Sequence, residues 1–446
     1  MSEVENIQTT AAPLVRMAEI EGRGRALVAS QPLRAGQIVL RDSPIIVYSA
    51  LPLKQPPPSQ QQQQLHSSNY YYCSNCFKIL QPWTTAAASV VSCPAYSASP
   101  GLGGGYPHDA HALFCNPNCR SLALASSHSP WVCEALTRLS DCPSLLLHQE
   151  RQVQARFLIA AYNLAVVSAS DFRTLLSLQG DSPAQPEDAA LFLHSVISSL
   201  CPPPQSSAVF GFSLGLTASL LAKDKLNAFG LMEPFAQDRE RSVRAYGIYP
   251  NASFFNHDCL PNASRFDYVD AAAERNTDII VRVIHDVPLG REICLSYFPV
   301  NQNYSDRQRR LREDYGFTCE CDRCKVEANW SDLEEEEDGD EEAMDEDWDE
   351  NMANKDIEDA CGVTEDNDFP HAYFFLRYMC NRKNCWGTLA PLPPSDSNPS
   401  CIMECNVCGS LKNEEEEEAI EGSLEAGVVL ENPFSLSLIG LGIRGG

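Results

Sequence analysis

Cysteine is the residue whose number and spacing first imply chemistry in this chain. Nineteen occur in 446 residues. Several stand in Cys-x-x-Cys or Cys-x-Cys pairs: Cys73 with Cys76, Cys319 with Cys321 and Cys324, Cys405 with Cys408. Thiolates at that spacing converge on one tetrahedral ion, for which zinc is the expected metal. In a reducing compartment they are expected to stay out of disulfides. A second kind of chemistry is suggested by NASFFNHDCLPNAS, residues 251–264, where Asn256 and His257 sit beside Cys259 and a Pro-Asn turn. Alone, that segment reads equally well as a hydrogen-bonded core Asn and His. It is followed by GREICLSY (290–297) and YGFTCECDRC (315–324).

These residues need elements to position them. Residues 14–50 read as short strands, with Gly22 and Gly24 in a tight bend and β-branched runs after Arg34-Ala35-Gly36. A polar low-complexity linker occupies 51–69, centred on QPPPSQQQQQ, and a cysteine-rich insert covers 70–133. From 144 to 229 apolar residues recur at three- and four-residue spacing, the pattern of helices with a buried stripe. Short β-like pieces return between 230 and 298, and a cysteine-rich segment at 299–325 closes the region. The last module, 368–410, carries Cys380, Cys385, Cys405 and Cys408 in two knuckles, the pattern of a zinc ribbon; Cys401 lies close enough to compete as a ligand.

Charge and hydropathy exclude some functions. The net charge is −27, and Asp332–Glu350 alone holds 14 acidic residues and no basic one. Such a block repels itself, so 331–359 reads as a disordered acidic linker, or else as a contact surface for a basic partner. No basic stripe suggests direct binding of duplex DNA. No apolar run reaches transmembrane length. The acidic, polar N-terminus does not read as a secretory signal, so the expected setting is the nucleus, the cytoplasm or both.

Taken in order, Asn256-His257-Asp258-Cys259-Leu260-Pro261-Asn262, Gly290-Arg291-Glu292 leading to Tyr297, and Cys319-x-Cys321-x-x-Cys324 resemble the SET domain of the SET-and-MYND (SMYD) methyltransferase family. EGRGRALVAS (21–30) resembles the Gly-x-Gly segment that opens this fold, and KLNAFG, with Asn227, the segment preceding the Asn-His pair. The cysteine-rich insert stands where the family inserts its MYND finger. The likeness covers about residues 14–324. It implies an α+β fold: small SET-type sheets, a MYND-like zinc-finger insert, a helical insert and a cysteine-rich post-SET segment. The module at 368–410 stands where better-known members begin a helical-repeat domain, for which this chain lacks room.

By that resemblance the chain transfers a methyl group from S-adenosylmethionine to a lysine of a protein, a histone tail by analogy. In-line displacement at a sulfonium needs aligned reactants, and positioning alone contributes roughly 7–11 kcal/mol. The lysine, with a free pKa of about 10.4, must lose its proton, which an apolar channel favours. The resemblance points the hydroxyl of Tyr297 at the methyl group and the lysine nitrogen. It lines the channel with Tyr315 and packs Phe317 near the adenine. Arg23, Gly24 and Asn227 would contact the cofactor's amino-acid end, and Asn256 and His257 its adenosine side. Two departures stand out: Ala26 replaces a frequent second glycine, and Arg291 replaces an acidic residue.

Cys259, Cys319, Cys321 and Cys324 are four thiolates, the number a closed structural zinc site requires. In the insert, Cys73, Cys76, Cys115 and Cys119 fit the first of two interleaved MYND sites. Cys93, His128 and Cys133 fit the second, which lacks a fourth ligand unless His108 or His111 supplies it. Competing functions are a zinc-rich adaptor with a catalytically retired SET fold that binds partners in chromatin regulation, and a RING-like ligase, which the ligand spacing disfavours. The expected partner is a protein substrate, and the chain is expected to be a monomer.

Overall fold

The computed structural model describes residues 13–53, 71–80, 89–93, 112–181, 187–204, 210–236, 241–272, 274–329, 371–394 and 400–413. Most of the low-complexity linker, His108, His111 and the whole acidic segment 331–359 lie outside these residues.

The chain opens with a hairpin of β1 (Val15–Ile20) and β2 (Gly24–Ala29), which pairs Val15 with Ala29 and Ile20 with Gly24. Gly22 and Gly24 take φ of 76° and 70°, left-handed values that glycine adopts without a Cβ clash, and they make the sharp turn on which Arg23 sits. Ala26 is fully buried opposite Ala18, so the alanine is accommodated within the strand pair. β3 (Ile38–Asp42) and β4 (Ile46–Ser49) then enter two different sheets.

The cysteine-rich insert forms two short antiparallel pairs, β5 (Tyr71–Tyr72) with β6 (Ile79–Leu80) and β7 (Val91–Ser92) with β8 (Leu113–Phe114). Helices follow directly: α1 (Pro117–Leu124), α2 (Pro130–Ser140), α3 (Pro143–Leu146), α4 (Gln149–Val167), α5 (Ala169–Ser177), α6 (Asp188–Leu200) and α7 (Leu214–Asn227). Helical structure therefore begins inside the insert, well before residue 144. Asn116 and Ser129 cap α1 and α2, with proline in the first turn of each, a start signal that apolar periodicity does not register. Helix α4 is the centre of this layer; Phe157, Leu158, Ile159 and Tyr162 are buried against α2, α5, α6 and β4.

The second half returns to sheet: β9 (Ala228–Met232), β10 (Val243–Ile248), β11 (Asn256–His257), β12 (Ala263–Phe266), β13 (Ile279–Val283) and β14 (Cys294–Leu295). Ala228 and Phe229, at the end of the apolar periodicity, belong to β9. The sheets mix the two halves, in the orders β4-β10-β9 and β12-β13-β3, while β11 runs parallel to β14. Asp42, at the end of β3, is buried and accepts three hydrogen bonds, from the backbone N–H groups of Asn251 and Ala252 and from Asn251 Nδ2 (2.8–3.0 Å). That carboxylate ties the first segment of the chain to the turn that delivers Asn256.

Helix α8 (Tyr304–Tyr315) ends on Gly316 at φ 76°, an αL cap, and α9 (Asp322–Glu327) carries the last cysteine of its segment. A small C-terminal module follows, made of α10 (Ala372–Tyr378) and the sheet β15 (Leu389–Pro391), β16 (Ile402–Cys405) and β17 (Leu411–Asn413).

Candidate active site and metal centres

The Asn-His pair and the tyrosine segment meet because β11 pairs with β14, Asn256 beside Cys294 and His257 beside Leu295. Asn262 holds this junction with both ends of its amide: Nδ2 donates to Glu292 O and Oδ1 accepts from Cys294 N, each at 2.8 Å. The hairpin turn approaches from the other side. Arg23 Nε pairs with Glu292 Oε2 at 2.9 Å, and Arg23 Nη2 donates to His257 O at 2.9 Å. Glu292 Oε1 accepts from Asn256 Nδ2 at 2.8 Å. One carboxylate thus orients both Arg23 and Asn256. Arg291, its neighbour, is exposed, so the acidic function of the segment rests on Glu292.

His257 is buried, and burial draws its pKa down to about 3, so the ring is neutral. Its Nδ1 accepts the backbone N–H of Tyr297 at 3.1 Å, and its Nε2 lies 3.3 Å from Cys259 Sγ. Tyr297 donates its hydroxyl proton to Phe255 O at 2.9 Å. The ring of Tyr315 lies 4.8 Å from that of Tyr297, and Phe317 is 6.4 Å from the His257 ring. Burial raises the pKa of Tyr297, and the neighbouring Tyr315 adds to the effect; burial also raises Tyr315, so both hydroxyls stay protonated.

Asn227 is held separately from this network. It ends α7, and its Nδ2 donates to Gln179 O (2.7 Å) and Lys223 O (2.8 Å). With both amide protons committed, Oδ1 is what it can offer a ligand, an acceptor suited to an ammonium group. Gly24 presents open backbone: a Cβ built there would meet nothing within 4 Å.

The expected metal ligands assemble into four groups, the donor atoms within each lying within 4.8 Å of one another: Cys259, Cys319, Cys321 and Cys324; Cys73, Cys76, Cys115 and Cys119; Cys380, Cys385, Cys405 and Cys408; and Cys93, His128 and Cys133. A tetrahedral ion with Zn–S bonds of about 2.3 Å sets its sulfurs about 3.8 Å apart. Cys259 lies 3.9 Å from Cys319 and 3.5 Å from Cys324, and Cys76 lies 3.8 Å from Cys115. The donor sets therefore suit zinc. The last group has three donors among the described residues. Cys401 is exposed and belongs to none of them.

Two residues near the Cys259 group escaped the sequence reading. Arg307, fully buried, aims Nε at Cys259 Sγ (3.3 Å) and Nη2 at Cys324 Sγ (3.7 Å), and pairs with Glu327 at 2.6 Å. Gln308 closes both ends of its amide on the backbone of Cys319. Nothing in YSDRQRRLREDY distinguishes Arg307 from the three other arginines of that helix. Glu292 was visible only as part of its motif.

A family model described as "SET domain" matches residues 24–298, from the start of β2 through the two three-stranded sheets to just past Tyr297. The chain belongs to the SET-domain family of protein-lysine methyltransferases. This SET protein is 53% identical over 420 residues to the "Histone-lysine N-methyltransferase ASHR2" of Arabidopsis thaliana, covering 90% of this chain and 96% of that protein. Matches to SET-and-MYND relatives are shorter. "Protein-lysine N-trimethyltransferase SMYD5" of Gallus gallus is 31% identical over 28% of this chain and 31% of that protein. "Histone-lysine N-methyltransferase SMYD3" of Homo sapiens is 28% identical over 24% of this chain and 25% of that protein. A solved structure, "Crystal structure of the SET domain of LSMT bound to Lysine and AdoHcy", overlaps 70% of this chain and 54% of its own at 13% identity, with a TM-score of 0.26, too loose to support any argument.

Proposed function

We propose that this SET protein methylates lysine side chains of proteins using S-adenosylmethionine, with histone tails as the first substrate class to test and the nucleus as its place of action. The observation that carries the reading is the convergence of Tyr297, Tyr315, His257, Asn256 and Arg23 on one junction. S-adenosylmethionine supplies a methyl group on a sulfonium, and transfer breaks that C–S bond as the lysine nitrogen forms its own bond to the carbon.

The residues have distinct tasks. Arg23 and Asn256, set by Glu292, and Asn227, through Oδ1, hold the polar ends of the cofactor; Gly24 leaves its backbone open, and Phe317 covers the adenine side. Tyr297 and Tyr315 wall the lysine off from water, and that loss of hydration lowers its pKa toward the neutral, attacking amine. Because the Tyr297 proton is committed to Phe255 O, the hydroxyl offers the reaction its oxygen lone pairs, which favour the positive charge being transferred.

Cys259, Cys319, Cys321 and Cys324 are assigned a structural zinc that ties the segment carrying Tyr315 and Phe317 to the Asn-His turn. Cys73, Cys76, Cys115 and Cys119 are assigned a second ion, and Cys93, His128 and Cys133 a third. The SET fold is split by the finger at 70–133 and the helical insert that follows it. The test is transfer of radiolabelled methyl from S-adenosylmethionine to purified histones and to a whole-cell extract, compared with Tyr297→Phe. Equal labelling by both proteins would overturn the catalytic assignment. Labelling of non-histone proteins alone would keep the activity and replace the substrate class.

A further inference from the structure

The C-terminal module plays no part in the chemistry above, yet it is built into the back of the SET fold. We propose that Cys380, Cys385, Cys405 and Cys408 bind a zinc ion whose role is to brace the β12-β13-β3 sheet, by fixing the strand that places Glu404 against the buried Arg282.

The donor set supports a metal rather than disulfides. Cys380 and Cys408 lie 3.7 Å apart and Cys385 and Cys405 3.6 Å. Those separations are far from the roughly 2.05 Å of an S–S bond and close to the edge of a zinc–thiolate tetrahedron. The backbone is shaped around the sulfurs. A Cβ on Gly387 would stand 2.4 Å from Cys405 Sγ, so this approach requires glycine. Gly409, after the last ligand, takes φ 67°. Asn406 joins the two knuckles, its N–H donating to Thr388 O (3.1 Å) and its Oδ1 accepting from Thr388 N (2.8 Å).

A module this small cannot bury an adequate core alone, and its apolar residues share a cluster with the sheet. Phe374, Leu389, Ala390 and Met403 pack with Phe266 and Ile280. At the turn before β3 the two parts come so close that a Cβ on Gly36 would fall 2.3 Å from Leu392 O.

The polar clamp lies next to the metal ligands. Glu404, adjacent to Cys405, accepts from Arg282 Nη2 at 2.8 Å and from Tyr268 Oη at 3.1 Å. Asn406 Nδ2 reaches Arg265 O at 3.2 Å. Arg282 is only 2% exposed, and a buried guanidinium is costly without its counter-charge. The ion that sets the position of Cys405 therefore also decides whether Arg282 is neutralised. β13, which carries Arg282, is the central strand of that sheet, and β12 continues directly from the Asn-His turn.

The experiment uses the full chain, with bound zinc counted by native mass spectrometry and stability read as Tm. Cys385→Ser/Cys405→Ser is expected to carry one zinc fewer than wild type and to melt several degrees lower. Cys401→Ser should match wild type in both. Glu404→Gln should keep the full zinc count while melting lower. An unchanged count in the double variant would overturn the metal site. Loss of the ion with no change in Tm, or a Glu404→Gln variant as stable as wild type, would overturn the brace. If the double variant does not fold, Cys408→Ser, which removes a partly buried ligand, is read instead: one ion fewer supports the site, and an unchanged count overturns it.

Discussion

His257 accepts the backbone N–H of Tyr297 on Nδ1 at 3.1 Å. That bond fixes the neutral ring as the Nε2–H tautomer, with its remaining proton toward Cys259 Sγ, 3.3 Å away. One imidazole therefore stands between the proposed metal ligand Cys259 and Tyr297, the tyrosine proposed to act in transfer, and the two sites are expected to respond together. His257→Ala should weaken zinc retention by about 10–100-fold, the usual effect of removing a partner that orients a ligand, and should reduce methyl transfer. Zinc release to a chelator is the direct measure. Wild-type release with reduced transfer would separate the two sites and sink the coupling.

Tyr297→Phe should lower kcat by about 100-fold or more, the scale of removing one preorganised polar group from a reacting centre. Stability should fall only by about 1 kcal/mol, the worth of the lost bond to Phe255 O. A transfer rate near wild type with an unchanged melting profile would place the catalytic oxygen elsewhere.

Glu292→Gln should act through the groups it orients. Its carboxylate pairs with Arg23 at 2.9 Å and accepts from Asn256 at 2.8 Å. Losing the charge should raise the KM for S-adenosylmethionine about tenfold, equivalent to about 1.4 kcal/mol, with a smaller effect on kcat. Glu292→Asp should recover part of the loss. A KM unchanged in both variants would show that Arg23 and Asn256 need no such anchor.

Cys321→Ser should cost the ion assigned to the Cys259 group and, with it, the placement of the Tyr315–Phe317 segment. Expected readouts are one zinc fewer per chain and weaker cofactor binding by calorimetry. Full zinc loading of this variant would remove Cys321 from the ligand set.

Asp224 gives a pH dependence with a definite sign. Burial raises its pKa from 3.8 to about 7, although its hydrogen bond with Tyr48 opposes the shift. Its place in the last turn of α7 also disfavours negative charge. Between about pH 4 and pH 7 the folded state holds a proton that the unfolded chain has lost, so stability falls as pH rises through that window. Asp224→Asn, which cannot ionise, should escape this loss. Its Tm relative to wild type should be higher at pH 8 than at pH 5; a pH-independent difference would rule out the titration.

Local order in the chain was enough to mark the family and much of the chemistry. Cys319, Cys321 and Cys324 announce a metal knuckle because thiolates at such short spacing can share one ion whatever surrounds them. Gly22 and Gly24 announce the turn that carries Arg23, since left-handed φ is a local property. The periodicity of α4 announces a buried helix for the same reason. Tertiary structure decided the rest. Glu292 reaches Arg23 only because β14 lies beside β11 while the preceding residues pair with β2. Arg307 is one arginine among four on its helix until packing turns it alone toward the Cys259 sulfurs. Cys401 and Cys405 are separable as ligands only in the folded chain, where Cys405 ends β16 buried beside Cys385 and Cys401 lies exposed before the strand begins. The reason is common to all three: a contact between residues far apart in the chain depends on how elements pack, and packing leaves no periodic trace in the residues that meet.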